Sequence, residues 1–174
     1  MTDREHFVQF YDDDAILADS ATRFVARGLV AGAACIVVAT QAHRIQLEAG
    51  LKADGFDLDD AIRQGQYVPL DAPSLLAQLM VNGVLDLGRI EEIVWPVIAQ
   101  AKLRYPRVYA FGEMVALLSE AGEHEAAIEL EKLWDEVAGP HQLSMFCAYP
   151  RRVFPADDHE IVERICAHHS QVVP

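Results

Sequence analysis

The chain has 174 residues, 52% of them hydrophobic and 24% charged, a mixture rich enough for one globular domain with a real core. Its 27 acidic residues against 14 basic ones give a formal net charge of −13 at pH 7, and no cluster of Lys or Arg exceeds a pair such as Arg151-Arg152. That balance argues against direct binding of DNA or RNA, which needs cations to displace counterions from phosphates, and against an anionic membrane surface.

The opening residues Met1-Thr2-Asp3-Arg4-Glu5 are polar and acidic, unlike a signal peptide. His6-Phe7-Val8-Gln9-Phe10-Tyr11 is aromatic and β-branched and stops at Asp12-Asp13-Asp14, which predicts a strand and a turn. Residues 16–30 place Leu17, Ala21, Phe24, Val25 and Leu29 at helical spacing, and Gly32 follows in the manner of a helix stop. Residues 35–40 are continuously apolar, the pattern of a strand buried on both faces of a parallel sheet. The whole apolar stretch 29–39 is too short to span a bilayer.

A second helix is expected over 42–53, then a short strand over 67–71 whose Pro69 favours a sheet edge. Pro73 suits the start of a helix over 74–82, with Gly83 after it. A long helix over 87–104 contains Pro96, and 107–111 forms a fourth strand. A short helix over 114–121 precedes one over 123–138, whose stripe is Ala127, Leu130, Trp134 and Val137. Residues 143–149 make a fifth strand, and 157–169 close the chain as an amphipathic helix.

Strands alternating with helices predict a three-layer α/β/α sandwich around a mostly parallel, five-stranded sheet, one domain over residues 1–174. The three cysteines, Cys35, Cys147 and Cys166, are widely spaced, make no CxxC pair and fit a reducing, cytoplasmic setting.

Ligands of open α/β sheets gather at the carboxyl ends of the strands. The residues there are Tyr11 with the acidic run from Asp12 to Asp14, Thr40 with His43, Asp71, Gly112 with Glu113, and Tyr149. The first strand–turn–helix unit reads Tyr11-Asp12-Asp13-Asp14-Ala15-Ile16-Leu17. It lacks the glycines, the Lys and the closing hydroxyl that cradle a nucleotide triphosphate, and three adjacent carboxylates repel one.

Several segments resemble the MEDS family, the sensory domain named for methanogens, methylotrophs and a dichloromethane-responsive regulator. They are residues 6–11, Gly28-Leu29, Ala39-Thr40 with His43-Arg44, Leu70-Asp71-Ala72, residues 111–118 (Phe-Gly-Glu-Met-Val-Ala-Leu-Leu), Leu130-Glu131-Lys132-Leu133-Trp134, and Cys147-Ala148-Tyr149-Pro150. The resemblance implies kinship with RecA- and KaiC-like ATPases, here without a functional P-loop. The metal-binding Asp that ends the fourth strand of those ATPases is replaced by Phe111-Gly112-Glu113. The resemblance also implies a sensor of small organic, hydrocarbon-like signals. With no room for an output module, its message passes to a separate signalling protein, a histidine-kinase-type protein or a transcriptional regulator.

The ligand contacts expected are Tyr11, Asp12, Thr40, His43, Asp71, Glu113 and Tyr149. Asp12 to Asp14 serve either as helix caps or as a polar-ligand site, and Glu113 either caps a helix or meets the ligand. Cys166, His168 and His169 fall short of the usual four zinc ligands, so no metal or cofactor is expected, and the terminal helix reads as solvated. Glu129, Glu131 and Glu136 read as a solvated or partner-facing helix face, and Trp134 as core. No GxSxG, HExxH or Cys–His arrangement nominates a catalytic residue. The reading is therefore a non-catalytic sensor. The alternatives are a ligand-free docking module, with a homodimer as one arrangement, and an acid/base enzyme at the acidic edge.

Overall fold

In the computed structural model, which describes residues 5–174, helices and strands alternate from β1 (Glu5–Tyr11) through α1 (Asp14–Val30), β2 (Ala34–Ala39), α2 (Gln41–Ala53), α3 (Leu58–Arg63) and β3 (Tyr67–Asp71). There follow α4 (Ala72–Leu79), a small hairpin of β4 (Met80–Val81) and β5 (Val84–Leu85), α5 (Gly88–Lys102), β6 (Val108–Gly112), α6 (Met114–Glu120), α7 (His124–Ala138), β7 (Leu143–Pro150), α8 (His159–Ala167) and β8 (Gln171–Val173).

The main sheet runs β3-β2-β6-β7-β1-β8, and all its pairings are parallel. It has six strands, not five: Gln171–Val173 adds beside β1, with Val8 opposite Val172. Three residues are too few to carry a readable alternation, so the extra strand is visible only in tertiary pairing. β3 stands at the other edge, where Pro69 interrupts no central ladder. All six residues of β2 and all eight of β7 are buried, as strands covered on both faces must be.

One layer of helices, α1 to α3, packs Leu17, Phe24, Leu47, Leu51 and Leu58 against Cys35, Val37, Tyr109 and Phe111. The other, α4 to α8, packs Leu79, Ile90, Leu118, Leu130 and Ile165 against Ile36, Val108, Met145 and Tyr149. Gly28 sets the first layer's distance: a Cβ there would lie 2.7 Å from both Cys35 Sγ and Tyr109 Cγ. The helix expected over 74–82 ends at Leu79 instead. Asn82 (φ 51°) and Gly83 (φ 78°) form the turn of the β4–β5 hairpin, a pair suited to left-handed turn positions.

β2 and β6 are neighbours, yet the chain leaves β2 into one helical layer through α2 and leaves β6 into the other through α6. Their carboxyl ends therefore diverge into a crevice, the place where parallel sheets bind ligands. None of the described helices is long and apolar enough to cross a membrane.

Candidate functional site

Glu113 follows β6 directly and is 2% exposed. Its backbone N–H donates to Val38 O (3.0 Å), tying the end of β6 to β2. Its carboxylate crosses the crevice: Oε2 accepts from the Thr40 backbone N–H (2.8 Å), and Oε1 meets His43 Nδ1 at 2.5 Å. Thr40 caps α2 by accepting from His43 N through its hydroxyl (3.4 Å), which aims the imidazole back at the sheet. The other ring nitrogen of His43 lies 3.3 Å from Asp14 Oδ1, in the first turn of α1. With a carboxylate at each nitrogen, His43 is held above its ordinary pKa, chiefly by Glu113 and against the opposing effect of burial. Tyr11 completes the group, its ring edge-on to His43 with centroids 6.3 Å apart. Its hydroxyl is raised above the usual range by burial and then by Glu113 and Asp14.

Four of the seven expected contacts, Tyr11, Thr40, His43 and Glu113, thus converge at the crevice. The other three go elsewhere. Asp12 is exposed and pairs with Arg151 (3.2 Å), while its neighbour Asp13 caps α1. The carboxylate of Asp71 caps α4, accepting from Ser74 N (3.0 Å) and Ser74 Oγ (2.6 Å), which lowers its pKa. Tyr149 points into the opposite layer, where its hydroxyl donates to Glu131 Oε1 (2.7 Å).

On that opposite side a cavity of about 240 Å³ lies between the sheet and helices α4 to α7. Its wall is almost wholly apolar: Val38, Leu75, Val94, Val97, Ala110, Met114, Trp134 and Met145 are representative, and Gln78 is the amide on its lining. Gly112, Met114 and Val115 all line it, so the residues flanking Glu113 face the cavity while Glu113 itself turns to His43. Trp134 is both core and cavity wall.

A second polar group lies behind this wall. Cys147 lines the cavity, and its Sγ is 3.5 Å from His6 Nε2. Glu131 Oε2 is 3.2 Å from His6 Nε2 and 3.2 Å from His169 Nε2. Burial alone would raise the Glu131 carboxyl, but the His169 and His6 imidazoles override it and hold it below the usual range. Burial, and then Glu131, pushes the Cys147 thiol and the Tyr149 hydroxyl up.

Two sequence expectations fail here. Glu131 is fully buried, not part of a solvated face, and the side chain of His169 has no exposed surface despite its place near the terminus. For Glu131 the signal existed: it stands four residues after Ala127 and three before Trp134, inside the apolar stripe. The sequence sets His169 only beside Cys166 and His168, and nothing local marks His6; both meet Glu131 only through the parallel pairing of β1 with β7 and β8.

The model of the MEthanogen/methylotroph, DcmR Sensory domain family, MEDS, matches residues 5–170. The chain belongs to the MEDS family. No curated protein matches it. The match takes in both polar groups and the cavity, and membership in a sensory-domain family gives the chain a sensory or regulatory role.

Proposed function

We propose that this MEDS domain is a non-catalytic sensor that takes one small, largely apolar organic molecule into the cavity beneath α4 to α7 and reports its presence to a separate signalling protein. The observation that carries this reading is the cavity itself: about 240 Å³, apolar, and continuous with the β6–α6 corner that bears Glu113. Apolar cavities on the order of 150 Å³ stay dry and accept benzene. A molecule of that size, or a halogenated one-carbon compound, is the class that fits. A ligand pressing on Met114 and Val115 shifts the N-terminus of α6, and with it the Glu113 bridge to Thr40 and His43 at the start of α2. The polar crevice is then the transmitting element, not the ligand pocket.

Nucleotide is a poor occupant of the crevice. Only Asp12 and Asp13 separate β1 from α1, and Asp13 caps the helix whose N-terminus would have to receive phosphate. A docking module without a ligand leaves the open cavity without a use.

The test is thermal unfolding of the chain with benzene, dichloromethane and similar small apolar compounds, alongside Ala110→Leu, which extends a side chain into the cavity from β6. A compound that stabilises the native chain but not the Ala110→Leu variant supports the reading. Equal stabilisation of both places the ligand elsewhere, and no stabilisation by any compound of the class removes the proposal.

A further inference from the structure

We propose that His6, Glu131, Cys147 and His169 form a buried, four-coordinate site for a divalent transition metal of the zinc class. The proposal does not depend on the ligand reading above. One donor atom from each residue lies within 4.8 Å of every other. The pairs His6 Nε2 to Glu131 Oε2 (3.2 Å), His169 Nε2 to Glu131 Oε2 (3.2 Å) and Cys147 Sγ to His6 Nε2 (3.5 Å) are close to the edges of a tetrahedron around zinc. With metal–ligand bonds of about 2.0–2.3 Å, those edges measure roughly 3.3–3.6 Å.

The orientation of the groups is a second, independent observation. His169 Nδ1 donates to Ile165 O (2.7 Å), so the ring's proton is on Nδ1 and a neutral ring aims a lone pair from Nε2 at a carboxylate oxygen. His169 Nε2 and Glu131 Oε2 are both fully buried and, among the described residues, make no hydrogen bond of full geometry; they face each other at 3.2 Å, with His6 Nε2 3.2 Å from the same oxygen. Behind His169 stands a backbone carbonyl that accepts from its Nδ1, as behind metal-binding histidines, and the Tyr149 hydroxyl holds the other oxygen of Glu131; Asp135 Oδ1 lies 3.8 Å from His6 Nδ1, beyond hydrogen-bond distance.

The His6 and His169 rings are 4.0 Å apart between centroids, which brings both Nε2 atoms to the one Glu131 oxygen. A divalent ion with a thiolate, a carboxylate and two neutral imidazoles is balanced. All four positions are filled by protein, so the ion is structural, joining β1, β7, α7 and the segment after α8. Through Cys147 it lies directly behind the cavity wall. Because the donors are shielded from solvent, the metal enters as the chain folds.

The experiment unfolds the whole chain in chelator, removes the chelator and refolds it with Zn²⁺ or Co²⁺ alone. One ion retained per chain after dialysis is expected, with the strong visible absorption of tetrahedral cobalt and a thiolate-to-cobalt band in the near ultraviolet. Cys147→Ser should lose that band and His169→Ala should weaken retention more than a hundredfold, whereas Cys166→Ser should keep both. A native chain that folds without retaining either ion overturns the site, as does cobalt bound without a thiolate band. Retention unchanged in a folded Cys147→Ser/His169→Ala double variant places the ion elsewhere and also overturns it. Where a variant fails to fold, the native and Cys166→Ser chains decide.

Discussion

Replacing Glu113 by Gln tests the crevice. The carboxylate accepts two hydrogen bonds, from Thr40 N and from His43, in a pocket where Glu113 is 2% exposed. Gln keeps the shape and can still accept from Thr40, while its amide turns to His43, which changes tautomer to receive it. What is lost is the charge: bonds to ionised groups contribute about 1.5–3 kcal/mol against about 1 for neutral ones, so two of them cost about 2 kcal/mol together. For a chain of this length that is a fall of roughly 4–8 °C in melting temperature. The loss must depend on pH. Glu113 raises the folded-state pKa of His43 above its unfolded value of about 6.5. The resulting stabilisation is complete below that unfolded value and disappears as pH rises through the folded one. The gap between the native and Glu113→Gln chains is therefore widest in mildly acidic buffer and narrows in alkaline buffer. Melting curves from about pH 5.5 to about pH 8.5 measure it, across the range in which histidine titrates. A gap that is constant over that range, or that widens with pH, refutes the assignment of a charged His43–Glu113 pair. In the same variant a stabilising apolar compound should still bind, since Glu113 faces away from the cavity, but the response of a partner protein should weaken.

Gly28→Ala should destabilise the chain by about 1–3 kcal/mol, because its methyl meets Cys35 and Tyr109 at 2.7 Å in a packed layer; urea unfolding reads this, and a neutral result would mean that α1 sits farther from the sheet. Trp134→Ala should cost about 3–5 kcal/mol and enlarge the cavity, so that bulkier apolar compounds give the larger thermal shift. Excess Mg-ATP should leave the melting temperature unchanged, whereas a nucleotide at a hundred times its dissociation constant would add about 2.7 kcal/mol. A clear shift with Mg-ATP would return the crevice to the nucleotide binders.

By itself the sequence determined the α/β class, the parallel sheet and most of its elements, because burial on both faces forces continuous apolar strands such as Ala34–Ala39 and one-sided burial forces helical stripes such as that of α7. It also placed Tyr11, Thr40 and Glu113 at strand ends and His43 at the start of the helix after β2, since position along a strand or helix is a local property. Tertiary structure alone decided which way those side chains face. A period-two strand sends Glu113 and Gly112 to opposite layers, and local pattern does not tell which layer holds a cavity. Thus Tyr149 left the expected site for Glu131, and Asp71 became a cap. The same holds for the buried polar group: His6, Glu131, Cys147 and His169 are scattered over the chain, and only the pairing of β1 between β7 and β8, with α7 packed over them, gives their donors a common centre.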